Sequence, residues 1–222
     1  MNITSYKPKI SERAVDVVEA GRRPRKGRIG LELNRDLEFS TDALRSYAFA
    51  RWEPMIYDAM VVAAAVEFCD RAIKRPSRGW TRKIEVRIPV HDPMRWSDPS
   101  VSGALHEVLG FLTGDLWEIE FVKRAKIESS PVQECLQIPR PTKAVIAYSD
   151  GMDSRAVAGL LGKTLGEELV RVRVGAKAAG KPAIDGRLQP FTKVPYKFKS
   201  VLTNGETTAR SRGFKFALIS GL

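Results

Sequence analysis

Cysteine and histidine are scarce. Cys69 and Cys135 are the only thiols in 222 residues, and His91 and His106 the only imidazoles. So few ligands cannot build a disulfide framework or a four-ligand zinc site, and their spacing matches no zinc motif. Long hydrophobic runs are lacking too. The most apolar stretch, Met60 to Phe68, is too short to cross a bilayer and is bracketed by Asp58 and Asp70. The N-terminal MNITSYKPKISER has no apolar segment of the secretory kind. These absences predict a cytoplasmic chain with reduced thiols and no membrane partner. There is also no internal repeat and no low-complexity tract.

What is present is ordinary for a packed protein. Hydrophobic residues make up 43% and charged residues 28%, which argues against wholesale disorder. The length suits one large domain or two small ones. The net charge of +11 is not ordinary, and it calls for an anionic partner: a nucleotide, a nucleic acid, a phosphate or an acidic protein. Arg22, Arg23, Arg25, Lys26 and Arg28 form a basic run broken by Pro24 and Gly27. It reads either as a solvated loop or as an arm gripping phosphate or nucleic acid.

Periodicity outlines the elements. RIGLEL (28–33) and KIEVRIPV (83–90) alternate as strands, and so does the stretch 114–122. Thr41 caps a predicted short helix reaching Tyr47. A longer helix is predicted over 54–73, with proline in its first turn and Pro76 beyond its end. Met55, Asp58, Ala59, Val62, Val66 and Cys69 share one flank of it, which makes Cys69 a small core residue rather than a nucleophile. HDPMRWSDP breaks the chain before a helix over 101–112. His91 follows a strand end and His106 lies on that helix, so each reads as structural or superficial. The proline-bearing segment 127–140 has no period and reads as a linker. It separates an N-terminal α+β domain, 1–126, from a second domain of α/β type, 141–222.

The second domain opens on the most informative stretch, KAVIAYSDGMDSRAVAGLLGKTLG (143–166). AVIAY is a continuous apolar run, as expected of a strand buried on both faces of a parallel sheet. SDGMDS interrupts it. Ala156, Val157, Leu160, Leu161 and Leu165 then recur at helical spacing. A strand, tight loop and helix in that order present unpaired backbone N–H groups at the positive end of a helix dipole, a ready anion cradle. Ser149 and Ser154 add hydroxyls, and Asp153 either caps the helix or holds Mg²⁺ beside a phosphate. An ordinary βα turn with serine and aspartate caps has the same spacing. Gly162-Lys163-Thr164 is no P-loop, because Val157 stands where the upstream glycine belongs, and no GxGxxG follows the strand.

Ser149-Asp150-Gly151-Met152-Asp153-Ser154 resembles the SGGxDS signature of the ATP pyrophosphatases, the PP-loop enzymes. It departs at one fixed position, where Asp150 replaces the first glycine and brings a carboxylate to the pyrophosphate cradle. RVRVG (171–175) looks like the second strand of such a domain. TARSRGFKFALISGL (208–222) is similar to the arginine-then-aromatic helix start of the 7-cyano-7-deazaguanine synthases, the QueC-like group. The region from Trp80 to Val122, with its IPV, Trp96 and FLTGDLW elements, resembles the N-terminal part of QueC-like relatives in antiphage defence, the QatC type.

The resemblance implies a partial Rossmann-like parallel sheet of the adenine nucleotide α-hydrolase kind. It implies ATP and Mg²⁺ as cofactors and a carboxylate, deazaguanine-type or other, as substrate. In such enzymes the carboxylate attacks the α-phosphate of ATP, pyrophosphate leaves, and an amine displaces AMP on the way to an amide or nitrile. By the same resemblance Ser149, Asp150, Gly151, Met152, Asp153 and Ser154 bind the nucleotide. Asp153 and Ser154 take the catalytic roles, with Asp153 also the metal ligand. Arg210 and Arg212 are either a second phosphate clamp or a solvated basic helix start. Protein partners of a defence system are implied as well. The zinc-binding cysteine cluster of the synthases is missing, and the chain stops near the arginine helix, so a C-terminally truncated member is expected. The alternative is a non-catalytic module with a degenerate PP-loop that binds nucleic acid or a protein partner.

Overall fold

Alternation between apolar and charged residues shapes the larger of two parallel sheets. In this computed structural model the described residues are 11–39, 53–77, 79–126, 142–149, 151–174, 183–184, 187–188, 191–194, 196–198, 205–206 and 209–221. Strands β1 (Ser11–Val18), β2 (Ile29–Glu32), β4 (Arg82–Val90) and β5 (Leu116–Lys123) lie in the order β2-β1-β4-β5, and every pairing is parallel. Strand β3 (Leu37–Phe39) pairs elsewhere. Val15, Val86 and Ile119 stand side by side on one face, as do Ile84 with Trp117 and Ile88 with Phe121. This face is buried.

The opposite face is charged, unusual for a parallel sheet, whose two faces are commonly both apolar. Residues 19–28 fold over it. Gly30 permits this, because a Cβ there would lie 2.9 Å from Pro24 Cγ. Arg25 and Arg28 then reach the buried Asp16 at 2.9 and 2.7 Å, Arg28 reaches Glu85 at 2.9 Å, and Arg87 reaches Glu120 at 3.1 Å. Burial opposes ionisation of Asp16, but the bonds from Arg25 and the charge of Arg28 outweigh it and hold its carboxyl below the usual range. Two members of the basic run are therefore ion-paired in the sheet rather than merely solvated. The N-terminal α+β expectation is corrected as well: these four strands form an α/β sheet.

Helix α1 (Pro54–Ala72) starts on proline and is buried at every position from Ile56 to Asp70. It runs between the two sheets. One side packs on β4, and Ile56, Met60 and Ala63 meet Val170 and Val172 of the second sheet. A helix buried all round belongs in such a place, and its buried Asp58, Glu67 and Asp70 each have bonding partners. Helix α2 (Pro93–Trp96) fills the break after β4, capped by Asp92 accepting from Arg95 N at 3.1 Å. Helix α3 (Pro99–Thr113) is capped by Asp98 and ends on Gly114 at φ 70°. The predicted helix 41–47 and the linker 127–140 lie outside the described residues.

The second sheet has the order β10-β7-β6, also parallel, from β6 (Ala144–Ala147), β7 (Leu169–Val174) and β10 (Phe191–Val194). Helix α4 (Met152–Leu165) joins β6 to β7, and helix α5 (Arg212–Ser220) packs on both strands and on α1. The short strands β8 (Ala183–Ile184) and β9 (Arg187–Leu188) form a hairpin. Strand β11 (Tyr196–Phe198) pairs antiparallel with β3, so the two halves share a ribbon. No helix among the described residues is long and apolar enough to cross a membrane.

A buried ion cluster fixes these parts to one another. Arg82 is fully buried and donates to Asp70 at 2.6 Å, to Asp115 at 2.5 Å, and to the carbonyls of Asp70 and Ile73. Arg75 reaches Asp115 at 3.0 Å. Burial raises the Asp115 carboxyl, but the Arg82 bonds and the two guanidinium charges win and hold it below its ordinary 3.8. Arg82→Met should cost about 3–5 kcal/mol in urea unfolding, because it strands buried carboxylates. The depressed Asp115 contributes stability that is complete above its ordinary value and is lost as pH falls through its folded value. The native protein should therefore lose stability below about pH 4, and the variant should show a shallower acid limb.

Candidate functional site

The strand–loop–helix unit is where the sequence places it. Strand β6 ends at Ala147, Tyr148 N donates to Val172 O at 2.8 Å, and α4 begins at Met152 with Gly151 as its N-cap. The loop is closed by its two serines. Ser154 Oγ accepts from Ser149 N at 3.2 Å, lies 3.0 Å from Ser149 Oγ, and donates to the carbonyls of Ser149 and Gly151. Gly151 N donates to Ser149 Oγ at 3.3 Å. Hydroxyls thus bridge the loop ends and keep the turn tight.

Among the described residues no side chain caps α4, whose N-cap is Gly151, so the N–H groups of its first turn have no described side-chain acceptor. Met152, 83% exposed, and Asp153 stand open to solvent at that end. The residues fit a polyphosphate: uncapped amides, two hydroxyls and no Cβ at Gly151. They also fit Mg²⁺, which takes one or two carboxylates plus phosphate oxygens rather than an all-protein cage. Asp153 is the carboxylate, and among the described residues no group of three metal-ligating side chains gathers. Asp150 lies outside the described residues.

One expectation about this unit is corrected. The strand is not buried on both faces: Val145 is 44% exposed, and among the described residues β6 lies at the edge of its sheet. The helix forms where the apolar spacing predicts it, but in it only Ala158 is buried, and Leu160 is 71% exposed.

Arg210 and Arg212 find aromatic rings. The Arg210 guanidinium lies 5.1 Å from the Trp80 ring centre, and that of Arg212 lies 5.5 Å from Phe216. A nearer pair of cations is on β7, beside the loop. Arg171 pairs in register with Ile146 and packs beneath Gly162, and burial drives its pKa down despite Tyr148. Arg173 lies 5.2 Å over the Tyr148 ring, one residue from the serine loop. Arginine at alternate positions of an apolar strand, LVRVRV, was the signal for them.

The remaining candidates are structural. Buried Asp58 accepts the His91 and Asp92 amides and His91 Nδ1 at 2.6 Å, which clamps the turn after β4 onto α1. His106 Nδ1 lies 2.6 Å from the Ser102 carbonyl on exposed α3. Cys69 is fully buried, and burial pushes its thiol far up, so it is no nucleophile. Cys135 lies outside the described residues.

No protein-family model, curated protein or solved structure matches the chain.

If the serine bridges hold the loop, Ser154→Ala should destabilise the protein by about 1 kcal/mol. It should also speed hydrogen exchange at the Ser149 amide, read by exchange mass spectrometry. Unchanged exchange there would mean that the loop is held by something else.

Proposed function

We propose that the chain is an ATP-dependent, adenylate-forming enzyme of the PP-loop, QueC-like kind, activating a carboxylate for amide or nitrile formation. One observation carries this reading: Ser149 and Gly151 join a parallel strand to a helix whose first turn is Met152, Asp153 and Ser154 and which no described side chain caps. Open α/β sheets take their ligands outside the carboxyl ends of the strands. Gly151, Met152 and Asp153 would offer backbone N–H groups to the pyrophosphate of ATP, and Ser149 and Ser154 hydroxyls. Asp153 would hold Mg²⁺. Arg173 and Arg171 supply positive charge on the neighbouring strand. Catalysis of this kind is mainly positioning and stabilisation of charge on the leaving pyrophosphate. A deazaguanine-type acid and a role in antiphage defence belong to the same proposal and rest on the resemblance alone.

ATP with Mg²⁺ should raise the melting temperature. A ligand at 100 times its Kd stabilises by about 2.7 kcal/mol, which a melting curve resolves easily. Asp153→Ala should lower stability by no more than about 0.3–1 kcal/mol, the share of an exposed acidic residue in a first helical turn. Its pyrophosphate release with a deazaguanine acid should fall by roughly 10²–10³, by analogy with a lost oxyanion donor. Normal turnover in a normally melting variant would leave Asp153 with no catalytic role. ATP binding without any pyrophosphate release would favour the non-catalytic module.

Asp150→Gly restores the family's residue. It should tighten ATP binding if the carboxylate faces the phosphates and leave it unchanged if it faces away. A large loss of affinity in calorimetry would give Asp150 a positive role instead.

A further inference from the structure

Trp80 is 73% exposed, ahead of β4, where nothing in the core needs it. Its position is nevertheless held. The Trp80 carbonyl accepts from Arg75 Nη1 at 2.9 Å, and the Arg210 guanidinium lies 5.1 Å from the ring centre. Arg210 comes from the far end of the chain. Asp70 brings it there by accepting from Ser211 N at 2.8 Å, and Glu206 helps by accepting from Arg75 N and donating to the Arg71 carbonyl.

The two segments that meet at the indole carry basic side chains. Lys74 and Arg212 are exposed, and Arg71 is 41% exposed with Glu67 3.7 Å away. Among the described residues, the carboxylates bonded to Arg75 and Arg82, namely Asp70, Asp115 and Glu206, are taken up by those arginines and by backbone amides. The result is a solvent-facing aromatic ring with a guanidinium over it, on segments that carry exposed lysine and arginine at Lys74 and Arg212. Sequence alone shows no aromatic residue within the basic run at 22–28. The fold supplies the combination by joining residues 71–80 to residues 210–212.

We propose that this surface binds single-stranded nucleic acid, with a base stacked on Trp80 and the flanking phosphates on Lys74, Arg71 and Arg212. Base stacking on an exposed aromatic ring beside a cationic track is how such strands are held without sequence preference. Arg210 orients the indole and adds its own face to the stack. The proposal does not rest on the nucleotide reading of the serine loop.

The test uses fluorescein-labelled oligothymidylate and oligouridylate of about 12 nucleotides, followed by anisotropy. Binding of either strand is expected, with log K falling linearly in log salt. Trp80→Ala should weaken it about tenfold or more, and Trp80→Phe should restore most of the loss, since a ring suffices. Lys74→Ala should lower the salt slope by about 0.7, the share of one phosphate contact on a single strand. Both residues are on the surface, so the variants should melt like the parent. Three results would overturn the proposal. One is no binding of either strand at low salt. Another is binding indifferent to Trp80→Ala. The third is loss of ATP-induced stabilisation in Trp80→Ala, which would make the indole an adenine platform instead.

Discussion

A guanidinium with no access to water governs much of this structure. Arg82 stands at the first residue of β4 and finds its acceptors on the end of α1 and the start of β5. Burying such a group is costly, and only good geometry and full hydrogen bonding offset the cost. Arg82 has both. The other oxygen of Asp70 holds Ser211, the residue ahead of α5, and α5 lies on β6 and β7. Through two carboxylates, one side chain thus fixes where the central helix ends, where the larger sheet begins, and how the smaller sheet's helix enters. Lys215 bonded to Glu67 at 2.8 Å extends the same α1–α5 contact along the helices.

That arrangement explains what could be read from the chain and what could not. Strand 83–90 was legible because one face is apolar and the other charged. Helix 54–72 was legible at its ends, from Pro54 and the stop before Pro76. Its environment was not: residues on one flank were expected in the core, whereas every position from Ile56 to Asp70 is buried. Two sheets packed on opposite sides erase the period that one sheet would impose. The reverse holds for α4, whose apolar stripe has the right spacing yet carries Leu160 and Val157 on the surface. The parallel pairing of β1 with β2 across residues 19–28 had no local signal. Neither did the ion pairs of Arg25 and Arg28, which depend on partners on distant strands.

The candidate site was legible for a different reason. A tight loop between a strand and a helix leaves its chemistry in consecutive residues, and SDGMDS contains the hydroxyls, glycine and carboxylate together. Its support from β7 was only partly visible, since Arg171 and Arg173 gain meaning when β7 lies beside β6. The Trp80–Arg210 contact shows the same limit more sharply, as its two halves are far apart in the chain and are brought together by bonds to Asp70 and Glu206.

The central claim is that polyphosphate is received by the amides at the start of α4. Hydrogen-exchange mass spectrometry with and without ATP and Mg²⁺ tests it most directly. Peptides covering 149–155 should gain protection on nucleotide addition, with the Arg82 cluster unchanged. Protection confined to other segments, with 149–155 exchanging as before, would contradict it.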